Sequence, residues 1–328
     1  MPIVFKNDQA ASYFSNIYKN IVKESKVIVA GNPYGEIFYQ NQDDTWGKSS
    51  IDYTLEGTNE ITTIYRTTDN KLLYGAGLNL LQSSDGVTIN NKNSSSMYGS
   101  SIYFIRDSLD SNYFVYINDD NSYLVNKDTF DVTKSTVTKY PNTPGSDPVF
   151  HKIENFVCAS NAFQTVFKLN DDNSFTKLIE LSYNVVDNDS GEKLRDLVSF
   201  KNNWYAAIST QNLIHAAGLT SSDSDWTKTE IINDSTMSFT RIDANNEILV
   251  VAGNYLYTNG IKICASQDGL IWSTVLEDNE CREIYNCRYI NDTFYVLSDH
   301  STIFTSKNGL NWTKNKLSDT NTKLLCIC

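Results

Sequence analysis

One phrase is written twice near the end of the chain: SQDGLIW at residues 266–272 and SKNGLNW at 306–312. Asp268-Gly269 and Asn308-Gly309 are turn dipeptides, because Gly takes a positive φ at no steric cost and Asp or Asn bonds nearby backbone N–H groups. Between apolar strands such a pair is a strong hairpin signal. Ser266 and Ser306 can add a second side-chain bond within the turn. Trp272 and Trp312 then begin the next strand with a large ring to bury. The unit reads as strand, locked turn, Trp strand.

The phrase recurs in weaker form. SSDGVTI at 83–89 keeps Ser83, Asp85 and Gly86 and puts Ile89 in the Trp slot, and SSDSDW at 221–226 ends on Trp226. Degraded versions end on Trp46, Val132 and Phe175. The apolar slot thus falls at 46, 89, 132, 175, 226, 272 and 312. A period in the forties built from short strands is the pattern of propeller blades. The chain is expected to be an all-β, seven-bladed β-propeller with shortened SxDGxxW turns.

The blades can be drafted strand by strand. Blade 7 reads as Arg282 to Ile290, Thr293 to Leu297, Thr302 to Thr305 and Asn311 to Asn315. Blade 6 repeats this from Ser238 to Val275, and blade 2 from Ile61 to Asn91. The ring needs closing, since open sheet edges invite pairing. TKLLCIC at 322–328 is placed in the inner slot of blade 1, beside Lys26 to Gly31. The propeller then spans 26–328 and leaves an N-terminal segment, 1–25. There Phe14, Ile17, Tyr18, Ile21 and Val22 form one helical stripe, capping the ring or docking it elsewhere. The competing reading makes Ser15 to Lys19 the inner strand of blade 1.

The motif residues Ser83-Asp85-Gly86, Ser266-Asp268-Gly269-Trp272 and Ser306-Asn308-Gly309-Trp312 resemble the Asp-box propellers. That family holds sialidases and many noncatalytic phage and bacterial surface proteins. The usual Asp-box has one more residue between Asp and Gly. The resemblance implies the fold over nearly the whole chain. It implies no activity, because the sialidase set is missing: YFIRDS at 103–108 and FTRID at 239–243 lack the Pro and the early position of that family's Arg motif.

Composition narrows the partners. A net charge of −12 argues against nonspecific nucleic-acid or anionic-membrane binding. The opening MPIVFKNDQA has no charged-then-apolar leader, and no apolar run is long enough for a membrane span. The six Cys at 158, 264, 281, 287, 326 and 328 form no CxxC pair and read as free buried thiols. His151, His215 and His300 have no metal-ligand spacing. The acidic pairs Asp43-Asp44, Asp119-Asp120 and Asp171-Asp172 sit at hairpin tips, where Asp belongs for its turn chemistry. With no GxGxxG or P-loop, no cofactor is indicated.

The reading that results is a noncatalytic virion subunit, structural or host-recognising, assembled in the host cytoplasm. Its partners would be other virion subunits or a host surface glycan or protein. The alternatives are a glycan-binding or glycan-cleaving module and an intracellular protein scaffold in the cytoplasm. One surface is singled out. Arg66, Arg106, Lys152, Arg241 and Arg288 fall near the ends of inner strands. They are expected to form a basic collar around one channel mouth, receiving an acidic segment or a carboxylated ligand. The competing expectation is that each pairs with a neighbouring acid, such as Asp107 or Asp243.

Overall fold

A computed structural model describes residues 27–32, 35–51, 61–76, 79–91, 104–107, 113–117, 122–134, 149–153, 156–160, 165–170, 175–181, 194–219 and 222–328. Segment 1–25 and the tips at Asp119-Asp120 and Asp171-Asp172 lie outside these residues.

The described strands form seven sheets, in chain order around a β-propeller. From the inside outward, blade 1 is Lys323–Ile327, Ile28–Asn32, Ile37–Gln40 and Trp46–Lys48. Blade 2 is Ile61–Arg66, Leu72–Ala76, Asn79–Ser83 and Thr88–Asn91. Blade 3 is Phe104–Asp107, Tyr113–Ile117, Ser122–Asn126 and Val132–Lys134. Blade 4 is Val149–Ile153, Phe156–Ser160, Thr165–Leu169 and Phe175–Glu180. Blade 5 is Asp196–Phe200, Asn203–Ala207, Asn212–Ala216 and Thr227–Glu230. Blade 6 is Met237–Ala244, Leu249–Tyr255, Ile261–Ser266 and Ser273–Asp278. Blade 7 is Ile284–Ile290, Thr293–Ser298, Thr302–Ser306 and Thr313–Lys316. Within each blade successive strands run antiparallel. A short strand, Ser50–Ile51, adds to the outer edge of blade 2 in parallel, pairing with Thr88 and Ile89.

All seven apolar slots fall at the start of the outer strands. Trp46, Val132 and Phe175 are first residues, Ile89 is second, and Trp226, Trp272 and Trp312 stand one residue earlier. That offset corrects the expectation that Trp272 and Trp312 open their strands. Its cause is the turn. Asp268 Oδ1 accepts from Leu270 N and Ile271 N, each at 2.8 Å, and Ser266 Oγ accepts from Gly269 N at 2.8 Å. Those N–H groups are spent inside the turn, and the ladder to the neighbouring strand begins at Ser273; in blade 2 the outer strand starts earlier, at Thr88, because Thr88 and Ile89 pair with Ser50 and Ile51. Asp85 and Asn308 repeat the arrangement, accepting from Val87 N and Thr88 N and from Leu310 N and Asn311 N. The degraded versions close differently. In blade 3 the side chain of Asn126 takes the acceptor role, toward Asp128 N and Thr129 N. In blade 5 a 3-10 turn at Asp223–Asp225 replaces the motif.

The glycines of the motif have a second duty. Gly86, Gly269 and Gly309 have φ near +74°, +78° and +71°. A Cβ on Gly86 would lie 2.6 Å from Ile28 Cδ1, one on Gly269 would strike Tyr205, and one on Gly309 would lie 3.0 Å from Ile248 Cγ2. Each of those neighbours belongs to the preceding blade. The motif therefore locks its own hairpin and lets blades seat against each other.

The apolar core follows the same logic, because it lies between blades. Val166, Leu197 and Trp226 join blades 4 and 5, and Tyr205, Phe239 and Leu249 join blades 5 and 6. Val250, Phe294 and Phe304 join blades 6 and 7, and Phe38, Tyr295 and Leu324 join blade 7 to blade 1. Ile28 and Tyr74 join blades 1 and 2, and Leu73 and Ile105 join blades 2 and 3. At the seam, Lys323–Ile327 pairs antiparallel with Ile28–Asn32. Its inner strand lies beside those of blades 7 and 2. Glu36, 4% exposed, reinforces the seam: its carboxylate accepts from Lys48 Nζ at 2.6 Å and from the hydroxyls of Ser318, Thr320 and Thr322.

Candidate functional site

Two regions carry polar or exposed features beyond the needs of one blade: the inner strands of blades 5 to 7 and the face that holds the motif turns.

The inner strands of blades 1, 2, 6 and 7 each carry one extra residue, a β-bulge at Leu325, Thr62, Thr240 and Tyr285. A bulge re-aims the side chains beyond it. Arg241, just past the blade 6 bulge, donates from Nε to Tyr285 O at 2.6 Å in blade 7. Asn286, just past the blade 7 bulge, donates to Leu325 O at 3.0 Å in blade 1. The bulge carbonyls of blades 7 and 1 thus each receive a side chain from the blade before.

Two carboxylates work across the same gaps. Asp196, 1% exposed on the blade 5 inner strand, accepts from Ile242 N at 3.2 Å and from Arg288 Nη1 at 3.3 Å. Asp243 accepts from Tyr289 N at 2.7 Å and Ala244 N at 2.8 Å. Burial pushes the Asp243 carboxyl up to about 6, against the pull of Arg288 and the two backbone bonds. Burial lowers the Arg241 guanidinium from its ordinary range, while for Arg288 the neighbouring Asp196 and Asp243 outweigh burial and raise it.

Of the five basic residues, the structure brings Arg241 and Arg288 together around Asp196. Arg241 also bonds Thr240 O, and Arg288 bonds Cys287 O. Arg66 stands elsewhere, at the last position of its strand, with Nη1 3.1 Å from Asn70 Oδ1. The three differ in height, lying one, three and four residues past their bulges. Arg106 and Lys152 are placed on the inner strands of blades 3 and 4. The acid beside Arg241, Asp243, bonds backbone of blade 7, and the partner of Arg288 is Asp196. Arg195, Asp196 and the buried Cys287 escape a reading aimed at strand ends, because Arg195 and Asp196 stand where their strand begins.

Burial dominates the surroundings of the described thiols and of one imidazole. Cys264, Cys281, Cys287, Cys326 and Cys328 are free, and burial pushes Cys264 and Cys281 up to about 11 and raises Cys287 and Cys326 further from their ordinary value. Thiolate is the nucleophile and the metal ligand, so these groups are disfavoured in either role. His215 stacks on Tyr205 at 5.5 Å and is lowered by burial. Asp43 closes its hairpin through Thr45. Among the described residues no three His, Cys, Asp or Glu side chains gather as a metal site. No described helix is long and apolar enough to cross a membrane.

The turn face is different. Antiparallel alternation puts the first and third hairpins of every blade at one end of the ring. Leu270 and Ile271 are 57% and 76% exposed there, and Leu310 of the next blade is 43% exposed. Ile271 and Leu310 line a groove of about 300 Å3 between blades 6 and 7, together with Ile248 and Ala265. A second groove, about 380 Å3, lies in the equivalent place between blades 7 and 1. At the opposite end of blade 6, Leu256 and Tyr257 are the other exposed large apolar side chains among the described residues.

No protein-family profile and no curated protein matches the chain. Solved structures do. YCF48 bound to a D1 peptide aligns with TM-score 0.58 at 11% identity, over 84% of this chain and 86% of that one. Sqt1 of Saccharomyces cerevisiae aligns with TM-score 0.54 at 11% identity, over 91% and 84%. The computationally designed Ika8 protein gives 0.54 at 12%, over 92% and 86%. At these identities the likeness is one of fold, and the fold is the β-propeller.

Proposed function

We propose that the protein is a noncatalytic binding platform that engages a protein partner through its turn face, as a subunit of a virion or tail-like apparatus. The observation that carries the reading is the apolar groove between blades 6 and 7. Two of the five exposed large apolar side chains among the described residues, Ile271 and Leu310, line it from adjacent turns, and Leu270 is exposed beside Ile271. Exposed apolar clusters rimmed by polar residues mark interaction sites. The noncatalytic reading draws support from the inner ring, where Arg241, Arg288, Asp196 and Asp243 are engaged in bonds between or beside blades. The YCF48 structure in complex with a peptide gives the reading a precedent in fold, and the Asp-box turn pattern inclines it toward surface and virion proteins.

The test is crosslinking of purified chain to its partner in particles or lysate, beside Ile271→Glu and Leu310→Glu. The wild type should crosslink through the turns of blades 6 and 7. The variants should lose the partner while melting as the wild type does. Crosslinks confined to the opposite face, or partner capture unaffected by both changes, would overturn the reading. Co-sedimentation with intact particles tests the virion assignment; recovery only in the soluble cytoplasmic fraction sinks it.

A second reading keeps the basic collar as a site for an acidic segment. Three guanidiniums, Arg195, Arg241 and Arg288, face two carboxylates, Asp196 and Asp243, in that region of the ring. The local surplus is positive in an acidic chain. Here Arg195→Ala, which removes one of those guanidiniums and whose side-chain bond is to Ser209, is the probe: loss of an acidic partner peptide supports the collar, and unchanged binding removes it.

A further inference from the structure

The two turn-face grooves occupy the same place in successive repeats, and their linings differ in kind. The strand pairings align them. Val250 opposite Ala265 in blade 6 corresponds to Tyr295 opposite Thr305 in blade 7. One step outward, Ile248 corresponds to Thr293, and along the turn Ile271 corresponds to Asn311. Three apolar walls of the blade 6–7 groove, Ile248, Ala265 and Ile271, are therefore replaced by Thr293, Thr305 and Asn311 in the blade 7–1 groove. Thr313 and Asn315 extend the polar lining, and Trp46 closes it.

The geometry points to the blade 7–1 groove as a binding site for a neutral saccharide. Ligand sites are concave and carry a few convergent polar groups, and here those groups are short, uncharged, and able both to donate and to accept. Hydroxyls and amides of that kind match the vicinal hydroxyls of a sugar ring. An anion would find no net positive charge, because Lys307 and Asp44 face each other 3.8 Å apart across the rim, both largely exposed. An apolar peptide segment would find no pocket here, whereas the neighbouring groove offers one. Trp46 supplies the flat apolar surface that sugars stack on. It is held edge-on against Tyr295, with ring centroids 6.5 Å apart, and Tyr295 is itself fixed by its hydroxyl bond to Gln40 at 2.7 Å. The volume, about 380 Å3, suits a small ligand at the low end of ordinary binding pockets. The inference is independent of the protein-docking reading, which uses the other groove.

The neighbouring repeat supplies the control. Thr293→Ile with Asn311→Ile writes the blade 6 lining into the blade 7–1 groove, at positions where the fold already accepts isoleucine. The full chain is titrated by saturation-transfer NMR and calorimetry with neutral oligosaccharides ending in glucose, galactose, mannose or N-acetylglucosamine, and with a sialylated one. At least one neutral sugar should bind in the millimolar range or tighter, with an affinity insensitive to salt. The double variant should weaken it by about tenfold or more, the scale of losing a good hydrogen-bonding group, without a change in melting temperature. If the double variant melts early, Asn311→Ile alone carries the comparison. Failure of every neutral sugar to bind, binding that persists in the isoleucine variants, or binding confined to the sialylated sugar and lost in salt each overturns the inference. None of these outcomes touches the crosslinking result at Ile271 and Leu310.

Discussion

Gly269 and Asp268 sit side by side in one turn and should fail differently. Asp268 accepts three local bonds at a fully exposed site, so Asp268→Ala should lower the melting temperature only slightly. Gly269→Ala adds a left-handed strain of roughly 1–2 kcal/mol and drives a methyl into Tyr205 of the preceding blade. Thermal melts should rank the glycine change well above the aspartate one, and equal costs would mean that the blades are not in contact there. Tryptophans also separate by environment. Trp226 is 7% exposed, whereas Trp272 and Trp312 are only half-buried. Trp226→Ala should therefore approach the roughly 3–5 kcal/mol of a buried ring, and Trp272→Ala should cost less. The sequence shows the turn chemistry of the glycine plainly, since Asp-Gly before an apolar strand has few other uses. It cannot show the glycine's packing role, because that depends on a side chain some sixty residues earlier.

At the scale of strands, the periods of two and of about forty reveal the hairpins and the seven outer-strand slots. The inner-strand bulges are invisible, because one extra residue in an apolar strand leaves no mark on composition. Those bulges decide which residues cross the gaps, and so Arg241 was legible as a residue but not as an inter-blade bond, and Asn286 was not singled out at all. Asp243 gives this layer a pH dependence. Its folded carboxyl titrates near 6, above the ordinary 3.8, so ionisation is disfavoured in the fold. This contribution is fully present as a penalty above pH 6 and is relieved as pH falls through 6 toward 4, by about 3 kcal/mol at most. Glu36 and Asp278 are lowered instead, so their contributions are lost only as pH falls through the acid range below their ordinary values. A carboxyl NMR titration should place the Asp243 midpoint near 6, and a midpoint near 4 would contradict the inter-blade burial described above.

For the molecule as a whole, the repeat predicts a ring, and the ring predicts that no blade has a core of its own. Every apolar cluster among the described residues is shared by two neighbours, so unfolding should spread from blade to blade. Deleting residues 323–328 leaves blade 1 with three strands and an open edge. Such an edge pairs with other chains, so light scattering should show oligomers where the intact chain gives one species. The closing strand was legible as the apolar run TKLLCIC at the right distance from Trp312. Neither the short strand at Ser50–Ile51 nor the hydroxyl cluster around Glu36 was, because two residues carry no periodicity and hydroxyls at 318, 320 and 322 read as ordinary linker.

The seam also has a mechanical meaning. Ile28 and Cys328 are directly paired, exchanging two backbone bonds of 3.1 Å each, and the ladder runs from there to Asn32 opposite Lys323. A load drawn between residues 28 and 328 pulls at the same end of that ladder. The bonds then break in succession, as in a zip, rather than all together as when strands are sheared lengthwise. The propeller thus yields to tension at a single strand, and optical-trap extension from those two points should open blade 1 at low force while blades 5 to 7 stay closed.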